Sequence, residues 1–407
     1  MNVAISGCGI AGMAAALFLA RAGHDVTLIE RAASPEPTGS GLLLQPPGLL
    51  VLERLGLLAA ALRQGQPVRR LHGLTLGGRC VMDIDYADWA AGWFGLGMHR
   101  GALWRVLHGA LADANIRVEA GITIAAVREV GDRCELLDDQ GSARGAFDLV
   151  IAADGARSTL RQRHFHDAGC EYPWGALWAN LRLPAGWADQ VLQQRYLGAR
   201  QMMGVLPVGR DARGDGPWAT LFWSEPCARM DVVRADPAAW RAAANALWPE
   251  AAPLVEQVRD SSQLLLARYR DVRPASWIHG RLVLIGDAAH GTSPQLGQGA
   301  TLGLLDALSL STALADCANV ATALGRHAAS RAAHVCYYQW ASRMLTPFFQ
   351  SDSRALALLR DAVFGLAGKL PVVGAEYRAT LVGAKSGILI GRLEKSLCCP
   401  THFDPLS

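Results

Sequence analysis

Short apolar runs alternate with helix-period stretches along this chain, beginning at Val3-Ala4-Ile5, which reads as a buried strand. Small residues from Ala11 to Ala16 continue into an amphipathic helix ending near Ala22-Gly23, and a second strand, Asp25 to Ile29, is closed by Glu30. A helix begins near Pro47 within Gly39–Gly56, and Arg100, Leu103 and Leu107 open another. Asp148 to Ile151 and Leu282 to Ile285 are further buried strands. After the latter, Leu302, Leu305 and Leu308 recur at helical spacing, so a helix starts near Gln298 or Gly299. This alternation predicts an α/β sheet.

The middle of the chain has a different texture. Arg70–Asp85 and Trp174–Ala267 look strand-rich, with strands expected at Leu177–Leu183, Gln193–Leu197, Met202–Val208, Ala219–Trp223 and Gln263–Tyr269. Amphipathic helices interrupt them near Pro237–Leu247 and Ala251–Arg259. Trp174, Trp178, Trp218 and Trp223 fall in this region, where tryptophan is more often core than ligand contact. Val320 to Arg343 reads as one long helix, broken by Thr346-Pro347-Phe348-Phe349-Gln350 before more helical, apolar sequence to Leu393. An apolar face in that tail could seat on a membrane surface, dimerise or cover the active site; packing onto the first domain is the expectation.

Two turns carry chemistry. Between the first strand and helix stands Gly7-Cys8-Gly9-Ile10-Ala11-Gly12. The first glycine permits a tight turn, the second lets the backbone approach a pyrophosphate, and the third lets the helix pack on the strand. Glu30 sits where an acid would bind a ribose hydroxyl. The fingerprint alone does not separate FAD from NAD; its place at the N-terminus and the distant second motif favour FAD. That second motif is LVLIGDAAHGTSPQLGQGATLGLLDA, Leu282 to Ala307. Gly286-Asp287 ends a strand and aims a carboxylate off its carboxyl end, and a loop with Pro294, Gly297 and Gly299 leads into a helix. The unpaired N–H groups and positive dipole end of such a helix seat negative charge, which a reduced flavin carries around N1 and the C2 carbonyl. A third segment, Asp154-Gly155 with Arg157 and Arg161 beyond it, suits a polyphosphate ligand, and Ser158 or Asp154 can cap the following helix.

At Gly286, Asp287, Ala288, His290, Pro294, Gly297 and Gly299 the chain resembles the single-component FAD-dependent aromatic hydroxylases, the para-hydroxybenzoate hydroxylase-like flavoprotein monooxygenases. Thr301 stands where that family usually has Asn, Pro46-Pro47 where it has Pro-Asn, and Ala152-Ala153 where it has Gly-Ala. The resemblance implies that Arg100 reaches the FAD ribityl and phosphate region and that Asp154 helps hold FAD. It places Arg157 and Arg161 where NADH or NADPH transiently meets the protein. The cofactor-binding set is then Gly7, Gly9, Gly12, Glu30, Arg31, Arg100 and Asp154 from the first half, with Asp287, Pro294, Gly297, Gly299, Ala300 and Thr301 from the second motif. The family's fold is α/β, a Rossmann-like FAD-binding domain with an inserted, mainly antiparallel β-sheet substrate domain and a C-terminal helical region. On this chain the expected FAD-binding domain is residues 1–72, 98–170 and 275–318, the substrate sheet 73–97 and 171–274, and the helical region 319–407.

Composition narrows the class further. The chain has 407 residues, of which 51% are hydrophobic and 18% charged, which suits a large core; a net charge of +3 without a basic run argues against nucleic acid. Nine scattered cysteines, including adjacent Cys398-Cys399, read as thiols of a reducing compartment, and no metal-type pair occurs. No basic leader precedes the first strand, and no apolar run is long enough to span a bilayer, so the expectation is a cytoplasmic protein, with peripheral membrane contact and a homodimer left open. The expected function is an FAD-dependent monooxygenase. NAD(P)H and O2 would hydroxylate a small, aromatic substrate through a flavin C4a-hydroperoxide, with Pro294 and Gly297 near C4a. No catalytic acid or base is assigned among His72, His99 and His290. A reductase or dehydrogenase on the same fold is the alternative. A flavin-dependent halogenase is disfavoured because Lys369, Lys385 and Lys395 all lie late in the chain.

Overall fold

The computed structural model describes residues 1–35, 39–211, 215–368, 370–387 and 391–393. Cys398-Cys399 and the end of the expected helical region lie outside these. A six-stranded sheet runs edge to edge as Ile278–His279, Leu282–Leu284, Leu149–Ala152, Asn2–Ser6, Asp25–Glu30 and Arg117–Ala120. All its neighbours pair in parallel except the first two strands. Val3, Ala4 and Ile5 are all fully buried, and the pleat divides them between two cores. Val3 and Ile5 meet helices on one face, whereas Ala4 meets Ile124, Cys134, Leu136 and Phe147 from a small antiparallel sheet on the other. Apolar residues therefore run continuously along the strand, because both faces are covered.

The first helix, Ile10–Arg21, is not the amphipathic surface helix its position suggested. Gly12 through Leu17 and Leu19 are buried, because the Gly299–Asp316 and Arg100–Asp113 helices cover its outer side. Small residues make that second layer fit. A Cβ on Gly286 would lie 2.9 Å from the Ala11 Cβ, and one on Gly303 3.1 Å from it.

The second large layer is a seven-stranded sheet ordered Leu265–Asp271, Cys170–Arg182, Trp218–Pro226, Gln201–Gly209, Val191–Leu197, Arg70–Thr75 and Cys80–Asp85. It is antiparallel except where Val191–Leu197 meets Arg70–Thr75. Arg70–Thr75 belongs whole to this sheet, so the expected boundary after residue 72 falls inside a strand. One face packs Leu177, Met203, Val205, Leu221 and Trp223 under Trp240 and Trp248 from the helical insertion. The other turns Met202, Leu206, Val208 and Phe222 toward Leu43 and Leu296 of the nucleotide half. In the insertion, Pro237–Leu247 is helical as expected, whereas the second helix is only Ala252–Val255 after a 3-10 turn.

The long helix runs Val320–Phe349, past the break expected at Thr346-Pro347. Pro347 sits in its last turn, where the missing N–H removes a single ladder bond, and the Thr346 hydroxyl donates to the Ser342 carbonyl at 2.7 Å. Helices Arg354–Ala367 and Pro371–Leu381 follow. Gly365 lets the first of these lie against the Cys80 backbone, yet Leu358, Leu366 and Val372 remain exposed. Tail packing is therefore one-sided. No helix among the described residues is long and apolar enough to cross a membrane.

Gly303→Val should lower stability by about 1–3 kcal/mol by forcing two packed helices apart. Gly325→Ala, where an added Cβ meets nothing, should be neutral or slightly stabilising. Denaturant midpoints of the two variants check this.

Candidate cofactor site

An open cleft of about 570 Å³ lies at the carboxyl ends of the first parallel strands. Of the expected set, Gly7, Gly9, Glu30, Arg31, Arg100 and Asp154 line it, together with Cys8, Trp104, Ile122 to Ile124, Arg157 and Thr159. Gly7 has φ +110°, and a Cβ there would sit 2.5 Å from the Ala153 carbonyl oxygen. Gly12 lies beneath the cleft rather than on its wall, since its Cβ would fall 2.1 Å from the Gly7 oxygen. At Gly9 a Cβ would touch no protein atom at all. It would point into open space, so the protein's own packing does not require glycine there.

Two acids face this loop. Glu30 accepts the Cys8 N–H at 2.8 Å and the Ala32 N–H at 3.0 Å, which ties the end of the second strand to the glycine turn. Burial, and then the Glu30 charge, push the Cys8 thiol up to about 12, so it stays protonated. Asp154 accepts the Thr159 N–H with one oxygen, while its buried Oδ1 has no protein partner. Burial raises its carboxyl above the ordinary aspartate value. An orphaned buried acceptor beside an open cleft fits a hydroxylated ligand. Ser158, not Asp154 alone, caps the Thr159–Phe165 helix, accepting the Arg161 N–H at 3.0 Å.

Asp287, Pro294, Gly297, Gly299, Ala300 and Thr301 do not line this cleft; they form a second group. Asp287 is exposed at the end of the Leu282–Leu284 strand, 3.7 Å from where a Cβ on Gly299 would be. Pro294 opens a 3-10 turn that ends at Gly297, φ +61°. No side chain caps the Gly299–Asp316 helix, which leaves its first N–H groups open to an anion. Ala300 stands in that first turn. Thr301 is fully buried, and its hydroxyl accepts the Gln45 N–H at 3.2 Å, an anchor between helices rather than a free ligand group.

What holds this second group is Asp306, which sequence reasoning passed over. Its carboxylate accepts the Gly286 N–H at 2.9 Å, contacts His290 Nε2 at 2.5 Å and accepts from Arg331 Nε at 2.8 Å. Burial by itself would raise the carboxyl, but His290 and Arg331 hold it well below the usual range. His290 is thus a structural partner and not a free acid or base. Arg331 continues the network to His334 at 2.8 Å, and His334 meets the Gly383 carbonyl at 3.1 Å. The signal for Asp306 was its lone charge within the apolar run Leu304 to Leu310.

Other candidates fall away. Arg161 is fully buried and donates to the Asp167, Ala288 and Ala156 carbonyls, so it clamps two motifs together and does not greet a nicotinamide cofactor. Arg157 does reach the cleft, with only a 3.8 Å contact to Glu171. His99 caps the Arg100 helix by accepting the Gly101 N–H at 3.1 Å. His72 lies on the outer face of the hairpin, within 4.8 Å of ligand atoms of Cys80 and Asp83. There Arg70 holds Asp83 at 2.6 and 2.7 Å, a fixed positive charge beside any cation. Trp104 was also missed. It lies one turn after Arg100, donates to the Cys8 carbonyl at 3.0 Å, and stacks on His108 at 4.3 Å.

A parallel sheet with a glycine-cradled cleft, an orphaned Asp154 oxygen and a second, uncapped helix start defines a dinucleotide-binding flavoprotein fold. Residues 1–335 match the family described as FAD binding domain, and the chain belongs to that family, that of the FAD-dependent aromatic hydroxylases. It is 29% identical over 310 residues to 2-heptyl-3-hydroxy-4(1H)-quinolone synthase of Pseudomonas aeruginosa, covering 76% of this chain and 80% of that one. It is 30% identical over 367 residues to kynurenine 3-monooxygenase of Salinispora arenicola, covering 82% and 76%. Its fold matches Klebsiella pneumoniae HpxO complexed with FAD and uric acid with a TM-score of 0.80 at 21% identity, over 94% of this chain and 97% of that one. FAD is the cofactor this fold binds.

The buried network makes an acid-sensitive support. His327, fully buried on the Val320–Phe349 helix with its Nδ1 3.0 Å from the Ser309 hydroxyl, is lowered from 6.5 to about 4, above all by burial. The unfolded chain therefore binds a proton that the folded one refuses, and stability falls as pH drops from about 6.5 to 4. This histidine contributes a slope of about 1.4 kcal/mol per pH unit. Unfolding free energies measured across that window should show the loss, and His327→Gln should flatten it.

Proposed function

We propose that the chain is an FAD-dependent monooxygenase that takes electrons from NADH or NADPH and uses O2 to hydroxylate a small aromatic substrate. The observation that carries the cofactor seat is the buried, unpartnered Oδ1 of Asp154, a residue of the same cleft wall as the glycine loop. When bound, FAD supplies the redox and oxygen-transfer chemistry. The chain's residues bind and shelter it.

In this reading Gly7 and Gly9 offer backbone to the pyrophosphate, with Gly12 setting the helix behind them. Glu30 takes a ribose hydroxyl on its remaining lone pairs, and Asp154 accepts a hydroxyl of the ribityl region. Arg31, Arg100 and Arg157 supply positive charge along the rim, and Trp104 walls the cleft. Beyond Asp287, the open first turn at Gly299, Ala300 and Thr301 steadies negative charge on the ring by its dipole. The loop Pro294–Gly297 and the inner face of the seven-stranded sheet enclose the substrate and exclude water. The relatives' names span a quinolone and the amino acid kynurenine, so the family leaves the substrate's charge open.

Purified protein should be yellow and should consume O2 with NAD(P)H faster when an aromatic substrate is added, giving a product heavier by one oxygen. NAD(P)H oxidation with no oxygen incorporated into any product would favour a reductase instead. Gly9→Ala, whose Cβ meets no protein atom, should cut FAD affinity ~10-fold or more by taking up space the pyrophosphate needs. FAD content by absorbance, beside an unchanged melting midpoint of the apoprotein, tests this.

A further inference from the structure

The helix Arg354–Ala367 commits its inner side to the body of the protein and leaves its outer side bare. Inward, Arg360 donates to the Phe348 carbonyl at 3.0 Å and pairs with Asp361 at 2.6 Å. Gly365 lies so close to the Cys80 backbone that a Cβ would come within 2.2 Å of the carbonyl oxygen. Outward, the exposed positions after Arg354 are Ala355, Leu358, Leu359, Ala362, Val363 and Leu366. At about 100° of rotation per residue these fall in one stripe along the helix, and none of them is polar. Leu358 is 71% exposed and Leu366 68%.

The apolar surface extends beyond the helix. Leu370, Pro371, Val372 and Val373 follow it, all exposed, with Val372 at 76%. Toward the long helix, the Phe364 ring lies 5.2 Å from that of Phe348, and the exposed Met344 and Trp340 stand one and two turns before Phe348. Soluble monomers rarely leave contiguous apolar surface of more than a few hundred Å² uncovered, and a larger one marks a binding surface.

Charge decides between occupants. From Arg354 onward, seven arginines and lysines stand against four aspartates and glutamates, an excess of +3 that equals the net charge of the whole chain. Residues 1–353 are neutral by the same count. Of the four acids, Asp361 is already held by Arg360, and Glu376 by both Lys385 and Arg392. A second copy of the chain joined about a two-fold axis would set this positive excess against itself. Residues 394–407 offer only Leu397, Phe403 and Leu406 as large aliphatic or aromatic side chains, fewer than the face exposes. An anionic lipid surface answers both features at once, since acyl chains take the aliphatic stripe and headgroups take the cations. No helix among the described residues is long and apolar enough to cross a bilayer, so such contact lies along the surface.

We propose that the helix Arg354–Ala367 and residues 370–373 form a docking face for an anionic membrane surface, with the aliphatic stripe inserted at the headgroup boundary.

The test mixes the full-length protein with vesicles of phosphatidylcholine alone or of phosphatidylcholine with phosphatidylglycerol, and reads the fraction that sediments with them. Binding to the mixed vesicles should be at least ~10-fold tighter than to the neutral ones and should weaken with added salt. Leu358→Ser combined with Leu366→Ser should weaken it a further ~10-fold or more. FAD content and melting temperature should not change, because both side chains are already exposed. Val372→Ser is the second variant should the first not fold, and Arg354→Glu should narrow the gap between the two kinds of vesicle. Binding that ignores lipid charge, or that survives the leucine substitutions, overturns the proposal. So does protein that binds neither vesicle, including one that instead forms a dimer which the leucine substitutions dissociate.

Discussion

The site depends on a carboxylate that never meets solvent. Asp306, 1% exposed, joins a strand end through Gly286, a short helix through His290 and the long C-terminal helix through Arg331. A buried ion pair contributes little net stability over well-packed apolar residues, but loss of one partner costs about 3–5 kcal/mol because the other charge is stranded. Its worth here is geometric. It fixes Gly286 at φ +60°, a conformation that side-chain-bearing residues rarely adopt, and so sets the direction in which Asp287 leaves the sheet.

That constraint reaches the first motif through packing. Ala11 of the glycine-loop helix lies against both Gly286 and Gly303, so the carboxylate that holds the second motif also fixes the crossing of two helices over the sheet. Arg161 closes the third side by donating to both the Asp154 loop at Ala156 and the second motif at Ala288. Three segments far apart in sequence are thereby locked to one another by contacts within the protein. Such preorganisation lowers the ordering cost of binding a long dinucleotide.

Turn chemistry made much of this legible in advance. Gly7, Gly12, Glu30 and Asp154 are bound to local backbone demands, and most strands and helices emerged at or near their expected bounds. What stayed hidden depends on the neighbour across the gap. Ile10–Arg21 has no polar side chain before Arg21, which already marks a helix buried all round; what it does not name is the pair of helices, Arg100–Asp113 and Gly299–Asp316, that cover it. Arg161 looked like a cofactor arginine because the family resemblance places it beside Arg157, where a nicotinamide cofactor would meet the protein, and only the three carbonyls around it show otherwise. Pro347 was read as a break because a proline costs one hydrogen bond in a last turn and far more mid-helix, and the sequence does not say where the turn ends. Of the four tryptophans, Trp223 faces the covered side and Trp178 the inner side, a difference set by strand register alone.

The distribution of charge over the two ends of the site follows from what each end must hold. On the proposed function, a pyrophosphate with full negative charge lies in the open cleft, whose lining includes the cations Arg31, Arg100 and Arg157. At the ring end the charge to be steadied appears only on reduction. A permanent guanidinium beside the ring would stabilise the charged form strongly and would also attract anionic molecules into the substrate space. An uncapped helix start offers roughly half a charge, fixed in direction and without a side chain to move. On the proposed function, the uncapped start of the Gly299–Asp316 helix is the group that steadies the ring's charge.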